Sequence, residues 1–160
     1  MPSTGPVVAL PQGTAAPAAV VLDTNAVLDW LVFCHPACAS WTARLSAGLV
    51  RWIATDAMRR EFARVLQRPT FDAWCPHPHA VWDAWDRWAE MRNPSLPTGM
   101  TGRLRCTDPD DQKFIDLALA DRARWLISRD RAVLKLGRRT RPLGLAVLTP
   151  ESWAAALPAG

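Results

Sequence analysis

The chain predicts a parallel α/β fold, on three observations. Short apolar runs alternate with stretches of helical apolar period along residues 18–160. The first run, Ala18-Ala19-Val20-Val21-Leu22, is too short and too rich in Val for a helix, and it ends on a carboxylate, Asp23. No linker or repeat divides residues 18–160, a length sufficient for one domain with a real core. Strands alternating with helices imply a central parallel sheet with helices on both faces.

The elements follow in order. A strand covers 18–22, and a helix follows with Val27, Leu28, Leu31 and Val32 on one face until Pro36 breaks it. A second helix is expected over 37–47, with Gly48 as its C-terminal cap. Residues 51–55 read as a strand. The next helix starts near Asp56 and ends before Pro69, with Met58, Phe62, Val65 and Leu66 as its apolar stripe. Another helix is expected over 78–91, carrying Val81, Trp85 and Trp88, and then a loop over 93–102 rich in Pro and Gly. After Cys106-Thr107-Asp108-Pro109-Asp110-Asp111 a helix runs to 120 with Phe114, Ile115, Ala118 and Leu119 inward. A strand over 125–128, a short helix, a strand over 145–148 and a helix from 151 complete the chain.

Bulk properties narrow the classes. No apolar run is long enough to span a bilayer. Residues 1–17 hold four prolines and no charged side chain, so they read as a disordered leader and not as a secretory signal. The net charge of +4 is compatible with a polyanionic partner and equally with an Arg-rich surface. Cys34, Cys38, Cys75, His77 and His79 do not follow the spacing of structural zinc sites, and prolines interrupt them; the cysteines read as free thiols of a cytoplasmic protein.

Four acids stand where they could meet. Asp23 and Asp130 follow the carboxyl ends of expected strands, where open α/β sheets bind ligands; each could equally be a helix N-cap. Glu61 lies three residues after Met58 and four before Val65, at the border of an apolar stripe, where it could also pair with Arg60 or Arg64. Asp111 precedes Phe114 and Ile115 on a core-facing helix, and could simply complement the helix N-terminus. Asp108, ahead of Pro109, is the better N-cap, which frees Asp111. Such acids would repel one another without a cation, and an all-oxygen set suits Mg²⁺ or Mn²⁺. A cluster of this kind can activate water and stabilise a phosphodiester transition state.

Four segments in order carry a family resemblance: Val21-Leu22-Asp23-Thr24-Asn25, Arg60-Glu61-Phe62 with Val65-Leu66, Asp108-Pro109-Asp110-Asp111-Gln112-Lys113-Phe114, and Leu126-Ile127-Ser128-Arg129-Asp130. Together they resemble the PIN-domain ribonucleases, close to the VapC-type toxins of bacterial toxin–antitoxin systems. The resemblance implies a PIN-like α/β/α sandwich with a mainly parallel sheet. It implies that Asp23, Glu61, Asp111 and Asp130 bind Mg²⁺ or Mn²⁺, supported by Asn25, Ser128 and Asp108, with Asp110 close by. It further implies an RNA substrate, a cognate antitoxin and a homodimer.

Basic residues flank the acids. Arg60, Arg64 and Arg68 recur beside Glu61, Arg103 and Arg105 precede the third segment, and Arg129, Arg131, Lys135, Arg138, Arg139 and Arg141 follow Ser128. Phosphate contacts from such residues supply non-specific nucleic-acid affinity, and the denser cluster of Arg129, Arg131, Arg138, Arg139 and Arg141 is the expected RNA rim. Nine Trp without a Tyr is an unusual balance. Trp74, Trp82, Trp85 and Trp88 could stack bases, although helical spacing assigns Trp85 and Trp88 to the core, and an excess too large for the core would mark a protein-binding surface. Two other functions fit less of the chain. A haloacid-dehalogenase-type phosphatase needs an Asp where Asn25 stands, and a silent RNA-binding or scaffold module would not need all four acids.

Overall fold

Ala19, Val20, Val21 and Leu22 are all buried because strand β1 (Ala18–Leu22) is covered on both faces at the centre of the sheet. In this computed structural model, which describes residues 16–93 and 104–157, four further strands join it: β2 (Val50–Ala54), β3 (Ala89–Met91), β4 (Trp125–Ile127) and β5 (Ala146–Leu148). Their order is β3-β2-β1-β4-β5, and every neighbouring pair is parallel. Val21 stands opposite Ile53 on one side and Leu126 on the other. The chain builds outward from β1 to β3, then returns to lay β4 against the free side of β1. That reversal between β1 and β4 is where an open α/β sheet forms its ligand crevice.

Helices α1 (Thr24–Leu31), α2 (Trp41–Ser46), α3 (Asp56–Leu66), α4 (Pro78–Trp88), α5 (Gln112–Ala120), α6 (Arg131–Leu134), α7 (Gly137–Thr140) and α8 (Pro150–Ala156) flank the sheet. α5 packs on β1 and β4, and α6, α7 and α8 on β5. Gly48 caps α2 as expected: its φ is +69°, and the N–H groups of Gly48 and Leu49 close on the carbonyls of Leu45 and Arg44 at 3.1 and 3.0 Å. Thr55, Asp130 and Thr149 cap α3, α6 and α8 with their side chains.

Three expectations change. The helix over 78–91 stops at Trp88, and Ala89–Met91 forms edge strand β3. Ala, Glu and Met favour a helix, but β2 offers a free edge, and an Arg51–Glu90 ion pair at 3.2 Å joins the two strands. The helix over 37–47 splits into a 3₁₀ turn, Pro36–Cys38, and α2. A further 3₁₀ turn, Pro69–Phe71, follows α3 after extended backbone at Arg68. The leader expected over residues 1–17 lies outside the described residues except for Ala16 and Pro17, as does the loop over 93–102 except for Asn93.

The core is aromatic. Trp30 touches Trp41 and Trp52, and Trp153 touches Trp41 and Trp125. Trp52 meets Trp85 edge to face at 4.6 Å, and Phe62 stacks on Trp85 at 5.3 Å. The buried indole N–H groups of Trp41, Trp52, Trp85 and Trp153 have no hydrogen-bond partner. These four rings form two T-shaped pairs, Trp41–Trp153 and Trp52–Trp85, in which the positive edge of one indole meets the negative face of the other. Phe62 is fully buried in this group, one residue from Glu61, so its loss acts through packing. Phe62→Ala is expected to destabilise the protein by about 3–5 kcal/mol in denaturant titration. A loss below about 1 kcal/mol would mean that the aromatic group closes over the gap.

Candidate metal centre at the carboxyl edge of the sheet

Asp23 ends β1 and occupies the N-cap position of α1, yet its side chain makes no capping hydrogen bond. It turns instead toward β4. Ser128 Oγ donates to Asp23 Oδ2 at 2.6 Å, and Asn25 Nδ2 approaches the same oxygen at 3.4 Å. Ser128 Oγ in turn accepts from the Asp130 N–H at 3.0 Å, and Asn25 Oδ1 accepts from the Arg129 N–H at 3.1 Å. The segment after β4 is thereby fixed to the segment after β1. Asn25 fills the position where a phosphatase of the haloacid-dehalogenase type needs a carboxylate, and it spends its amide on this join.

Asp130 divides its carboxylate. Oδ1 caps α6 by accepting from the Ala132 N–H at 2.8 Å. Asp108, Asp111 and Asp130 each bring an oxygen within 4.8 Å of the others. Asp108 also keeps its expected capping role, accepting from the Asp110 N–H at 3.0 Å. Asp111 is buried, and its Oδ2 has no hydrogen-bond partner. An orphaned carboxylate oxygen facing two other carboxylates is a costly arrangement without a cation. Three aspartate oxygens at this spacing, with Asp23 adjoining, form a hard-oxygen set suited to Mg²⁺ or Mn²⁺.

Glu61 stands apart from that trio. It does not pair with Arg60, which binds Asp56 at 3.3 Å, nor with Arg64. Lys113 Nζ meets Glu61 Oε1 at 2.8 Å and the Asp110 carbonyl at 2.6 Å, and the Thr24 hydroxyl donates a short hydrogen bond to Glu61 Oε2. Thr24 and Lys113 were not singled out from sequence. Lys113 stands two residues after Asp111 and Thr24 one after Asp23, so the signal was adjacency to the acidic positions. All these groups open on one cleft of about 720 Å³, lined also by Arg64, Arg68, Val65, Leu28 and Phe71.

The expected RNA rim and the cleft do not coincide. None of Arg129, Arg131, Arg138, Arg139 and Arg141 lines the cleft. The Arg129 guanidinium is held by Asp29 and by both oxygens of Glu151, at 3.0 and 2.8 Å, which ties α1 to α8. α6 and α7 carry the chain back to the amino edge, where the Ala146 N–H bonds the Arg124 carbonyl at the start of β5. Arg138, Arg139 and Arg141 lie on that return path, in α7 and the 3₁₀ turn after it. Arg64, in the last turn of α3, and Arg68, just past its end, are the arginines in the cleft. Arg103 lies outside the described residues.

Burial and like charge set the ionisation of the site. Desolvation raises Asp23 to about 6, against the lowering effect of the Ser128 hydrogen bond. Desolvation, then the charges of Asp23, Asp130 and Asp108, raise Asp111 to about 7. Below pH 3.8, the ordinary value, both groups are protonated whether the chain is folded or not. Between pH 3.8 and the raised values of about 6 and about 7 the unfolded chain has lost protons that the folded chain keeps, so stability falls as the pH rises through that window and levels off above it.

Comparison with known proteins gives two findings. A family model described as PIN domain matches residues 19–132. The crystal structure of VapBC2 from Rickettsia felis bound to a DNA fragment from their promoter contains a similar chain: TM-score 0.54 and 15% identity, over 82% of this chain and 98% of that one. At that identity the likeness is one of fold. No curated protein sequence matches the chain significantly.

In chelator, Asp111→Asn is expected to melt above the wild type at pH 8 and level with it near pH 4, because only the ionised carboxyl is penalised. Thermal melts across this range check it. A variant that melts lower at pH 8 would show that the Asp111 carboxylate is stabilising.

Proposed function

This chain belongs to the PIN-domain family, and on that premise we propose that it is a metal-dependent endoribonuclease, the toxin of a toxin–antitoxin pair. The observation that carries the reading is the meeting of the Asp108, Asp111 and Asp130 oxygens at the point where the strand order reverses, around the unpartnered oxygen of Asp111. The proposed ligands are Asp23, Asp111 and Asp130, with Asp108 joining them and Glu61 at the border. A divalent cation held there would lower the pKa of an attacking water and offset charge on the phosphodiester.

The chain's own residues do the rest. Ser128 orients Asp23 and, through the Asp130 N–H, keeps the carboxylates after β1 and β4 in register. Lys113 and Thr24 hold Glu61 at the cleft wall. Arg64 and Arg68 line the cleft, make no ion pair among the described residues, and supply charge to hold the phosphate backbone. The four motif segments lie within the matched residues 19–132, and the fold likeness to a chain of the VapBC2 complex supports an antitoxin partner; RNA as substrate and a second copy of the chain complete the proposal. Among the described residues no helix is long and apolar enough to cross a membrane.

Cleavage of single-stranded RNA with Mn²⁺ or Mg²⁺ tests the reading. Asp23→Asn and Asp130→Asn should each abolish divalent-dependent cleavage while the circular dichroism spectrum stays unchanged. Ser128→Ala should cost about 10–100-fold in metal affinity or rate, the scale for groups that orient ligands. Wild-type turnover in either aspartate variant would remove that residue from the site, and wild-type turnover in both would leave a silent binding module.

A second measurement concerns the arginines. Replacing Arg64 and Arg68 by Ala should lower the slope of RNA affinity against salt by about 2, one for each lost phosphate contact. Replacing Arg138 and Arg141 should leave it unchanged. The reverse result would return the RNA path to the cluster after β4.

A further inference from the structure

We propose that Trp74, Phe33 and Phe71 form a base-stacking platform that holds unpaired bases of single-stranded RNA at the far end of the acidic cleft. The proposal rests on the RNA substrate argued above and specifies how the unpaired strand is held.

Trp74 is 62% exposed and Phe33 38%, the two largest aromatic exposures among the described residues. They are not scattered. Phe33 meets Trp74 edge to face at 5.3 Å and Phe71 at 6.0 Å, and Phe71 lines the cleft. A run of rings therefore leads out of the site. Large aromatic rings left in water are unfavourable unless something covers them.

The elements beneath the rings fix their place. α1 starts at Asp23 and leads to Phe33; α3 carries Glu61 and leads to Phe71. The eight residues of α1 alone separate Asp23 from the segment of Phe33 by roughly 12 Å. Glu61 and Arg64 share one side of α3 at a step of three, Arg68 and Phe71 follow just past its end, and all four line the cleft. The order along it is carboxylate, cation, cation, ring. A cationic track for the backbone that ends in exposed rings is the general design of single-strand binding sites, because every base has a face to stack.

The same order favours RNA over a protein on this surface. A stable protein interface needs roughly 800 Å² from each partner, and three rings fall short of that. The other exposed large apolar residues, Leu49, Met91 and Leu143, sit on other elements. Two arginines without ion pairs beside the rings match a phosphate chain. Duplex RNA, whose bases are already stacked on each other, has no face to offer the platform.

The test uses the full chain carrying Asp130→Asn, so that RNA is bound without turnover, and measures binding of a labelled single-stranded RNA and of a duplex. Trp74→Ala should weaken single-strand binding about tenfold, and Trp74→Phe should restore most of it. The salt slope should stay as it was, since no phosphate contact is lost, and duplex binding should not move. Trp74 is exposed, so the melting temperature of both variants should match the parent. Equal single-strand affinity in Trp74→Ala overturns the platform, as does a failure of the parent to bind RNA at all. It is also overturned if Trp74→Ala changes the sedimentation mass while RNA affinity holds, because the rings then belong to an interface with a second copy or another protein. Turnover by the chain with Asp130 intact separates this from the ribonuclease reading. Trp74-dependent binding without cleavage removes the hydrolase and leaves the platform; cleavage with Trp74-independent binding removes the platform alone.

Discussion

Repulsion among carboxylates in a partly dry cleft is the constraint to which the rest of this molecule answers. Asp23, Asp108, Asp111 and Asp130 converge from three separate segments, and the burial of Asp23 and Asp111 limits how far water screens them. Such a cluster holds only if its backbone supports are stiff. The supports are the two central strands, β1 and β4, whose residues are almost wholly buried, and the hydrogen bonds from Ser128 and Asn25 that join their ends. Where repulsion could be relieved by a fixed cation, it is: Lys113 takes Glu61. Among the described residues no lysine or arginine forms an ion pair with the aspartate trio, the set proposed above to hold a metal.

Most of the sheet was legible because period and length agreed. The strand at 18–22 was read to the residue, and the other long elements fell within a few residues of their observed limits. β3 was not legible. Ala89-Glu90-Met91 continues the helical composition before it, and only the free edge of β2, a tertiary fact, converts it to strand. The convergence of the acids was readable from their places relative to strand ends and apolar stripes. Which of them bring their oxygens together was not, since Asp108 reads as a cap, and it both caps and stands beside Asp111 and Asp130. The basic residues after Ser128 do not line the cleft, because density in sequence does not set proximity to the acids. The run after Ser128 passes along the whole depth of the sheet, and its first arginine is consumed by Asp29 and Glu151.

Tryptophan serves two ends here. Trp30, Trp41, Trp52, Trp85, Trp125 and Trp153 are buried and carry the packing that a small domain needs from few residues. Helical spacing at 81, 85 and 88 separated that group from Trp74, which lies in no regular element. An aromatic count alone could not distinguish a ring that fills the core from one that waits at the surface.

The hydrogen bond between Ser128 and Asp23 spans 105 residues of chain. Since β4 must slide in beside β1 to form it, a polypeptide emerging from the ribosome displays Asp23 and Glu61 long before the remaining acids can join them. Until then the edge of β1 is open and the Asp23 carboxylate has no serine to orient it. The cluster is thus timed by synthesis: it closes only after most of the chain has left the exit tunnel, and a truncated product would lack it altogether.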